Sequence, residues 1–375
     1  MTTPFIRTLF LAAAIALLAT GLFADPIYFG VSAPLTGNRA QYGAQWKKAF
    51  DLALEQINSA GGISGRPLAY VIEDSQSDPK QSVAVAQKFV ADPRVIVELG
   101  DFSSDASMAA TPIYQRAGLV QYGFNNSHPD FTKGGDHVWT TSLSQKDDAP
   151  FLASFAVRDA GYKRLAVFSL NTDWGKVTTD YFVSRAKELG ATITDGEAYL
   201  PNDTDFRSAI TKAAAGNPDA FILESYYTDA ALIVRQIREQ GIKAAIFANG
   251  AIYSPKFIEL GGTAAEGVFT ASSFLPDNPR PEVQAFVKAY VAKYHENPDS
   301  FCAGAYDAVK VLAAVLRAGA PTRDGVQDGF TKVKDIPSLI YKTINFGSDR
   351  RVANPAETRI VIKDGRFTAW IGAAN

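Results

Sequence analysis

The stretch GDFSSDASMAATPIYQRAGLVQYGFNNSHPD, residues 100–130, contains the pattern that decides the fold. It predicts a strand end, a small polar turn, a helix over Asp105–Ala117, a strand over Leu119–Gly123 and a second small polar turn. Short apolar runs alternate with longer amphipathic segments on both sides of this stretch. Such strand–helix–strand alternation is typical of parallel sheets that are covered by helices on both faces.

The alternation forms two sets, which predict an α/β protein with two doubly wound parallel-sheet lobes. The first set predicts strands at Ile27–Ala33, Leu68–Glu73, Val95–Leu99 and Leu119–Gly123, and the second at Leu165–Ser169, Ala191–Ala198, Ala220–Leu223 and Ala245–Ala248. Two long helices, Pro281–His295 and Phe301–Ala318, precede the short strands KTINFG, TRIVIK and RFTAW. We therefore expect hinge crossovers near Ser142–Ser144, Ala271–Phe274 and Phe346–Asp349. The expected lobes are residues 25–142 plus 273–347 and residues 143–272 plus 348–375.

The first 24 residues have the composition of a secretory signal peptide. Arg7 precedes an apolar run from Leu9 to Leu18, and small Ala24 comes just before Asp25. The run is shorter than the roughly 20 residues that span a bilayer. We expect cleavage after about Ala24 and export to the periplasm.

Charge and motif content argue against nucleic-acid binding and catalysis. The chain has 37 Lys and Arg against 39 Asp and Glu, so nothing in its balance attracts nucleic acid or an anionic membrane. The motifs GxxxxGK[ST], GxGxxG, HExxH and GxSxG are absent, and the three histidines have no metal-ligand spacing. The single cysteine, Cys302, lies in an apolar segment and is expected to be an inert core thiol. We expect no catalytic residue, metal or cofactor.

Two polar turns of the first lobe are candidates for an anion site. In open parallel sheets, ligands collect beyond the carboxyl ends of the strands. Hydroxyl groups beside a helix N-terminus form a natural carboxylate site. The alternative is that Ser104 or Asp105 caps its own helix and that Asn126 stabilises a turn. We expect Asp105 to be a cap and Ser104 and Ser127 to contact the ligand. The two turns consist of Phe102, Ser103 and Ser104, and of Asn125, Asn126 and Ser127.

The predicted strand ends of the second lobe carry aromatic residues. LNTDWGK contains Trp174, LESYYTD contains Tyr226 and Tyr227, and ANGAIYS contains Gly250 and Tyr253. Exposed aromatic residues are ordinary when taken singly. Together they predict an apolar or flat ligand body held opposite its anionic head group.

With these residues considered, the chain resembles the type I periplasmic solute-binding proteins of the leucine/isoleucine/valine-binding family, which serve ABC importers. The resemblance extends over essentially the whole mature chain. It rests on IYFGVSAPLTGNRAQYG, ALEQINSAGGISGRPL, EDSQSDPKQSVAVAQKFV, TDWGK, GTAAEGV and FCAGAYDAV. The resemblance implies two lobes joined by three crossovers that close over a ligand. It also implies a monomer whose partners are a membrane permease and a small carboxylate ligand of the branched-chain or hydrophobic amino-acid type.

The resemblance also implies roles for individual residues. The ligand carboxylate is expected on the hydroxyl and backbone of Ser104, with Phe102 as an apolar wall. Ser127 stands where the family has threonine, and the backbone N–H of Asn125 can contribute. The aromatic residues of the family's cleft correspond to Tyr42, Trp174 and Tyr226. Tyr227 is a less close match for the last of these.

One position departs from the family pattern. Amino-acid binders place an acidic residue in the loop written here as FANGAIYS, where it pairs with the ligand ammonium, but this chain has Gly250 there. Burying an unpaired ammonium costs several kcal/mol. Either Glu224 or Asp307 replaces the missing acid, or the ligand is an aromatic or aliphatic acid without an amine. Two rival functions also stay open, a ligand-sensing module and an unrecognised hydrolase.

Overall fold

The structure is a computed structural model that describes residues 25–352 and 357–372. The predicted signal peptide, residues 1–24, lies outside the described residues. Among the helices within them, none is long and apolar enough to cross a membrane.

The strands are short and most are buried. They are β1 (Ile27–Ala33), β2 (Leu68–Asp74), β3 (Val95–Gly100), β4 (Val120–Gly123), β5 (Val138–Thr140), β6 (Arg164–Leu170), β7 (Thr192–Tyr199), β8 (Ala220–Glu224), β9 (Ala245–Ala248), β10 (Phe269–Ser272), β11 (Ile336–Ser338), β12 (Lys342–Ile344), β13 (Thr358–Lys363) and β14 (Arg366–Ala369).

Amphipathic helices connect most of these strands. They are α1 (Ala40–Ser59), α2 (Pro79–Ala91), α3 (Ser104–Arg116), α4 (Gln145–Ser154), α5 (Asp173–Glu188), α6 (Arg207–Ala215), α7 (Tyr227–Glu239), α8 (Pro255–Gly261), α9 (Pro281–Tyr294), α10 (Ser300–Ala318) and α11 (Arg323–Lys332). Polar residues begin several of them: Asp78 accepts hydrogen bonds from the backbone N–H groups of Lys80 and Gln81 at the start of α2.

The strands form two large sheets and one small one. The first sheet is parallel throughout and has the order β2-β1-β3-β4-β5. The second has the order β14-β13-β10-β9-β8-β6-β7 and is parallel from β10 to β7. Strands β11 and β12 pair separately. The predicted α/β class with two parallel sheets is confirmed.

Two antiparallel pairings occur at one side of the second sheet, which the predicted parallel arrangement did not include. Strand β13 pairs antiparallel with both β10 and β14. A two-residue turn, Asp364-Gly365, joins β13 to β14, and both residues have positive φ. A tight Asp-Gly turn of this kind returns the chain beside itself, so the two strands must run in opposite directions.

Most of the elements that the sequence pattern did not predict are short. Strands β5 and β10 have three and four residues, too few for a period-2 pattern to be distinguished from a loop. The segment of β10 was instead assigned to a crossover. Helices α8 and α11 were also not predicted, whereas the bounds of the longer elements differ from the prediction by one or two residues at most ends.

An aromatic cluster in the first half of the chain supports the residues after β3 and β4. Tyr42 of α1 stacks on Phe102 with ring centroids 3.6 Å apart, and Trp46 packs on Phe124 at 4.4 Å. Tyr42 and Trp46 are fully buried, with 0% of their surface exposed. The cluster therefore holds the two polar turns against a rigid helix.

The Asp364-Gly365 turn generates a stability prediction. Gly365 has φ +66°, and no heavy atom lies within 4 Å of the point that a Cβ would occupy. Gly365→Ala therefore adds backbone strain without a clash and should lower the free energy of unfolding by about 1 kcal/mol. Gly196→Ala is the matched control, because Gly196 lies within β7 and has equally open space. Urea denaturation measures both, and equal stability of the two variants would contradict the prediction.

Candidate ligand-binding site

A cavity of about 140 Å³ lies where the carboxyl ends of the strands of both large sheets meet. Its walls come from three sources. The turns after β3 and β4 supply Phe102, Asn125 and Ser127; the turns after β6, β8 and β9 supply Trp174, Tyr226 and Gly250. Segments where the chain passes between the sheets supply the rest, among them Ser142, Asp148 and Glu357.

The two polar turns of the first sheet do converge. The backbone N–H of His128 donates to Ser104 Oγ at 3.3 Å, and Asn126 Nδ2 donates to the carbonyl of Asp101 at 2.8 Å. Ser104 and Asn126 are buried and therefore join the turns to each other, and neither lines the cavity. Ser103 faces an adjacent groove that contains Arg39 and Asp229.

The positive end of α3 lies beside this convergence. Ser103 precedes the helix, and its side chain makes no capping hydrogen bond. Asp105, which was expected to cap α3, lies inside its first turn and accepts a hydrogen bond from the backbone N–H of Trp174 at 3.3 Å. Two carboxyl groups already lie at this helix end: Asp105 within the first turn, and Asp101, whose Oδ1 accepts from the backbone N–H of Ser103 at 3.3 Å.

Aromatic side chains close the cavity from the second sheet. Trp174 stacks on Tyr226 with ring centroids 4.7 Å apart and planes 20° apart. The indole Nε1 of Trp174 donates to Ser127 Oγ at 2.9 Å, so one hydrogen bond joins the wall of one sheet to the wall of the other. The guanidinium of Arg39 lies 4.2 Å from the centre of the Tyr226 ring, a cation–π contact at the rim.

The other predicted tyrosines lie outside the cavity lining. The Tyr42 hydroxyl donates to the carbonyl of Ala251 at 2.8 Å and accepts from the N–H of Tyr227 at 3.3 Å. Because Tyr42 belongs to α1 and its partners follow strands of the second sheet, it joins the two halves. Tyr253 packs on Phe367, with ring centroids 4.4 Å apart.

Neither Glu224 nor Asp307, the two acids predicted to replace the missing acid at Gly250, lines the cavity. Gly250 lines the cavity, but a Cβ there would be 3.1 Å from the carbonyl of Ala271. Glu224 is fully buried behind the lining; its Oε2 accepts from Asn249 Nδ2 at 2.9 Å, and its Oε1 has no partner among the described residues. Asp307 accepts from Ser338 Oγ and Leu339 N, which fixes the loop before β12.

Asp148 and Glu357 are the acidic residues of the lining, and the sequence pattern did not predict either of them. Both lie in connections between the two sheets and not directly after a strand, so a search of strand ends does not find them. The predicted crossovers could have indicated these residues, because connections that run beside a cleft contribute to its walls. Within residues 25–352 and 357–372, no group of three His, Cys, Asp or Glu has an arrangement that could hold a metal ion.

Glu224 generates a prediction about pH and stability. Burial raises the pKa of Glu224 to about 8, with the nearby Asp148 carboxylate adding to the effect and the Asn249 hydrogen bond opposing it. The folded protein therefore keeps this proton up to about pH 8, whereas the unfolded chain loses it near the ordinary value of 4.5. Between these values stability falls as pH rises, by on the order of 1 kcal/mol per pH unit.

The variant Glu224→Gln removes this titration. Relative to the unchanged protein, it should gain stability steadily from pH 5 to pH 8 in urea denaturation. Glu259→Gln, at an exposed position, is the control and should show a constant difference. A constant difference for Glu224→Gln as well would contradict a buried, protonated Glu224.

Comparisons with known proteins agree with this architecture. A family model described as periplasmic binding protein matches residues 26–365. The Leu/Ile/Val-binding protein homolog 1 of Brucella suis biovar 1 is 32% identical over 321 residues, 83% of this chain and 84% of the relative.

Two solved structures are also similar. The branched-chain amino acid transporter substrate-binding protein LivJ of Streptococcus pneumoniae, solved with isoleucine, has a TM-score of 0.87 at 25% identity and covers 92% of this chain and 98% of its own. A solute-binding protein of an ABC transporter from R. palustris, solved with benzoate, has a TM-score of 0.84 at 19% identity, with 92% and 96% covered, and it shows the fold alone. From the family match, the relative and the two-sheet cleft together, this chain belongs to the periplasmic binding protein family, in the type I group that includes the Leu/Ile/Val-binding proteins.

Proposed function

We propose that this protein is the extracytoplasmic substrate-binding component of an ABC importer and captures a small carboxylate of the branched-chain or hydrophobic amino-acid type between its two lobes. The lobes are residues 25–142 plus 273–347 and residues 143–272 plus 348–375. The observation that carries the proposal is the cavity between the strand ends of both sheets, with hydroxyl and amide groups on one wall and aromatic rings on the other. Its partners are the ligand and a membrane permease, and it makes or breaks no bond.

The ligand carboxylate is assigned to the wall formed by the turns after β3 and β4. Ser127 Oγ already accepts from Trp174, so its own hydrogen is free to be donated to an anion. Asn125 lines this wall, and its side-chain Nδ2 group can donate to an anion. Phe102 and Phe124 provide apolar contact for the ligand body.

Ligand capture is coupled to the approach of the lobes. Tyr42 and Ser127 of one half bond directly to groups of the other half, and Thr228 Oγ1 donates to the carbonyl of Asn38 at 2.7 Å. These bonds exist only when the lobes are close together. A ligand held by both walls therefore favours the closed arrangement, and motion at the three crossovers opens it.

A second candidate ligand is an aromatic or aliphatic acid without an amine. The absence of an acidic side chain at Gly250 favours it, since the family position that pairs with an ammonium carries no charge here. The second candidate role, a ligand-sensing module, uses the same cleft and differs only in the partner that recognises the closed form.

A ligand screen tests the proposed function. Thermal melting is measured with aliphatic amino acids, aromatic acids and aliphatic acids without an amine. A ligand at 100 times its Kd should stabilise the folded protein by about 2.7 kcal/mol. Mass spectrometry after incubation should show the ligand unchanged. Failure of every small carboxylate to shift the melting curve would contradict the proposal.

Ser127 provides a test of the carboxylate wall. Ser127→Ala should weaken binding about tenfold, on the scale of one hydrogen bond to a charged group. Ser127→Thr keeps the hydroxyl and should stay within about threefold by the same reasoning. Isothermal titration calorimetry with the ligand from the screen measures both. Equal affinities of the alanine and threonine variants would remove Ser127 from the site.

Tyr42 provides a test of closure. Tyr42→Phe keeps the ring on Phe102 but loses the hydroxyl bonds to Ala251 and Tyr227, so affinity should fall about fivefold, as expected for about 1 kcal/mol. Small-angle scattering should show a more expanded unliganded protein. Tyr253→Phe is the control, since Tyr253 packs on Phe367 and does not provide the hydroxyl bonds that Tyr42 makes across the cleft. An equal loss in the control would contradict the role of Tyr42.

A further inference from the structure

The cavity has an acidic end that the proposed carboxylate wall does not use. Asp148, in the first turn of α4, and Glu357, just before β13, both line the cavity. Asp148 Oδ1 is buried and has no hydrogen-bond partner among the described residues. Ser142 lines the same end, is 8% exposed, and its Oγ is likewise unpartnered within that part of the chain.

The two carboxyl groups are close enough to hydrogen bond to each other. Burial raises the pKa of both carboxyl groups; the Asp148 carboxyl raises the pKa of Glu357 further, whereas the hydrogen bond from Glu357 opposes the rise at Asp148. The next charged neighbour, Asp147, is also acidic, and Glu224 lies near enough to Asp148 to be affected by its charge. The basic residues nearby, Lys146 and Arg351, act on Asp147. The cavity therefore has an end rich in acceptors whose negative charge has no counter-ion from the described part of the chain.

A primary ammonium matches this end of the cavity in number of donors and in size. It has three N–H donors and no acceptor, and Asp148, Glu357 and Ser142 present oxygen acceptors. A cavity of about 140 Å³ has room for a compact body only; roughly 150 Å³ is enough for benzene. Such a partner would also remove the cost of burying carboxylates without a cation.

We propose that Asp148 and Glu357 form a cation subsite that holds the ammonium group of the transported ligand, with Ser142 as a third acceptor. This inference rests on the proposed function and names the residues that hold the primary amine of an amino-acid ligand. The subsite lies between two of the segments that connect the sheets, so an ammonium bound there links those segments as well as the two walls.

The distance between the two subsites suits one small molecule. The carbonyl of Ser127 accepts a hydrogen bond from Gln145 N at 2.9 Å, at the start of α4. Asp148 lies three residues further along that helix, about one turn or roughly 5 Å away along the axis. One ligand can therefore contact Ser127 with its carboxylate and Asp148 with its amine.

Matched pairs of ligands test the subsite on the full mature protein. Leucine is compared by calorimetry with 4-methylpentanoate, which lacks only the amine, and 5-aminopentanoate carries its amine at the far end. The variants are Asp148→Asn, Glu357→Gln and the double variant, which change charge without changing shape. Asp147→Asn, at the exposed neighbouring position, is the control, and melting curves confirm that each variant is folded.

The expected result is that at least one amine-bearing ligand binds tenfold or more tightly than 4-methylpentanoate. Asp148→Asn and Glu357→Gln should each reduce that preference at least tenfold, whereas Asp147→Asn leaves it unchanged. A preference for 5-aminopentanoate over leucine would support the subsite and place the amine away from the carboxylate.

Three outcomes would overturn the inference. In the first, 4-methylpentanoate binds as tightly as the amine-bearing acids; in the second, the variants weaken all ligands equally. In either case the proposed import function stands and only the ammonium subsite fails. In the third, calcium chloride stabilises the unchanged protein and not the double variant, which would assign the acids to a metal ion. Absence of binding by every carboxylate would reject the proposed function and the subsite together.

Discussion

The direction of the parallel strands is the constraint on which the rest of this structure depends. In a parallel sheet the carboxyl ends of all strands meet at one edge, and the loops there carry the variable chemistry. Here the two sheets turn these edges towards each other. Short polar turns such as Asn125–Ser127 and aromatic residues such as Trp174 therefore reach one cavity from opposite sides. A register shift of either sheet would separate them.

Some polar side chains around the cavity hold its walls together, and others face the cavity and are available to a ligand. Ser104 and Asn126 join the two polar turns, and this leaves Ser127 and Asn125 in position to face the cavity. Tyr42 likewise uses its hydroxyl across the cleft and its ring against Phe102. The rigidity of the wall and the closure of the lobes thus depend on the same few residues.

The acidic end of the cavity shows how a binding site can be costly to the empty protein. Asp148 Oδ1 and Ser142 Oγ are buried and have no hydrogen-bond partner in the described residues. Burying such groups costs free energy unless a cation or donor satisfies them. Folding alone does not offset that cost, which is the physical reason for assigning these oxygens to a ligand. The same reasoning separates them from Asp307, whose hydrogen bonds within the protein are already made.

By itself, the sequence determined the α/β alternation, the long elements and the turns that carry Phe102, Ser127, Trp174 and Tyr226, because hydrophobic period and turn chemistry are local properties. It could not separate Ser104, which holds a turn, from Ser127, which faces the cavity, since both are serines beside a helix start. Only the tertiary structure brought Asp148 and Glu357 together. They lie in separate connections between the sheets, and their proximity depends on how those sheets pack.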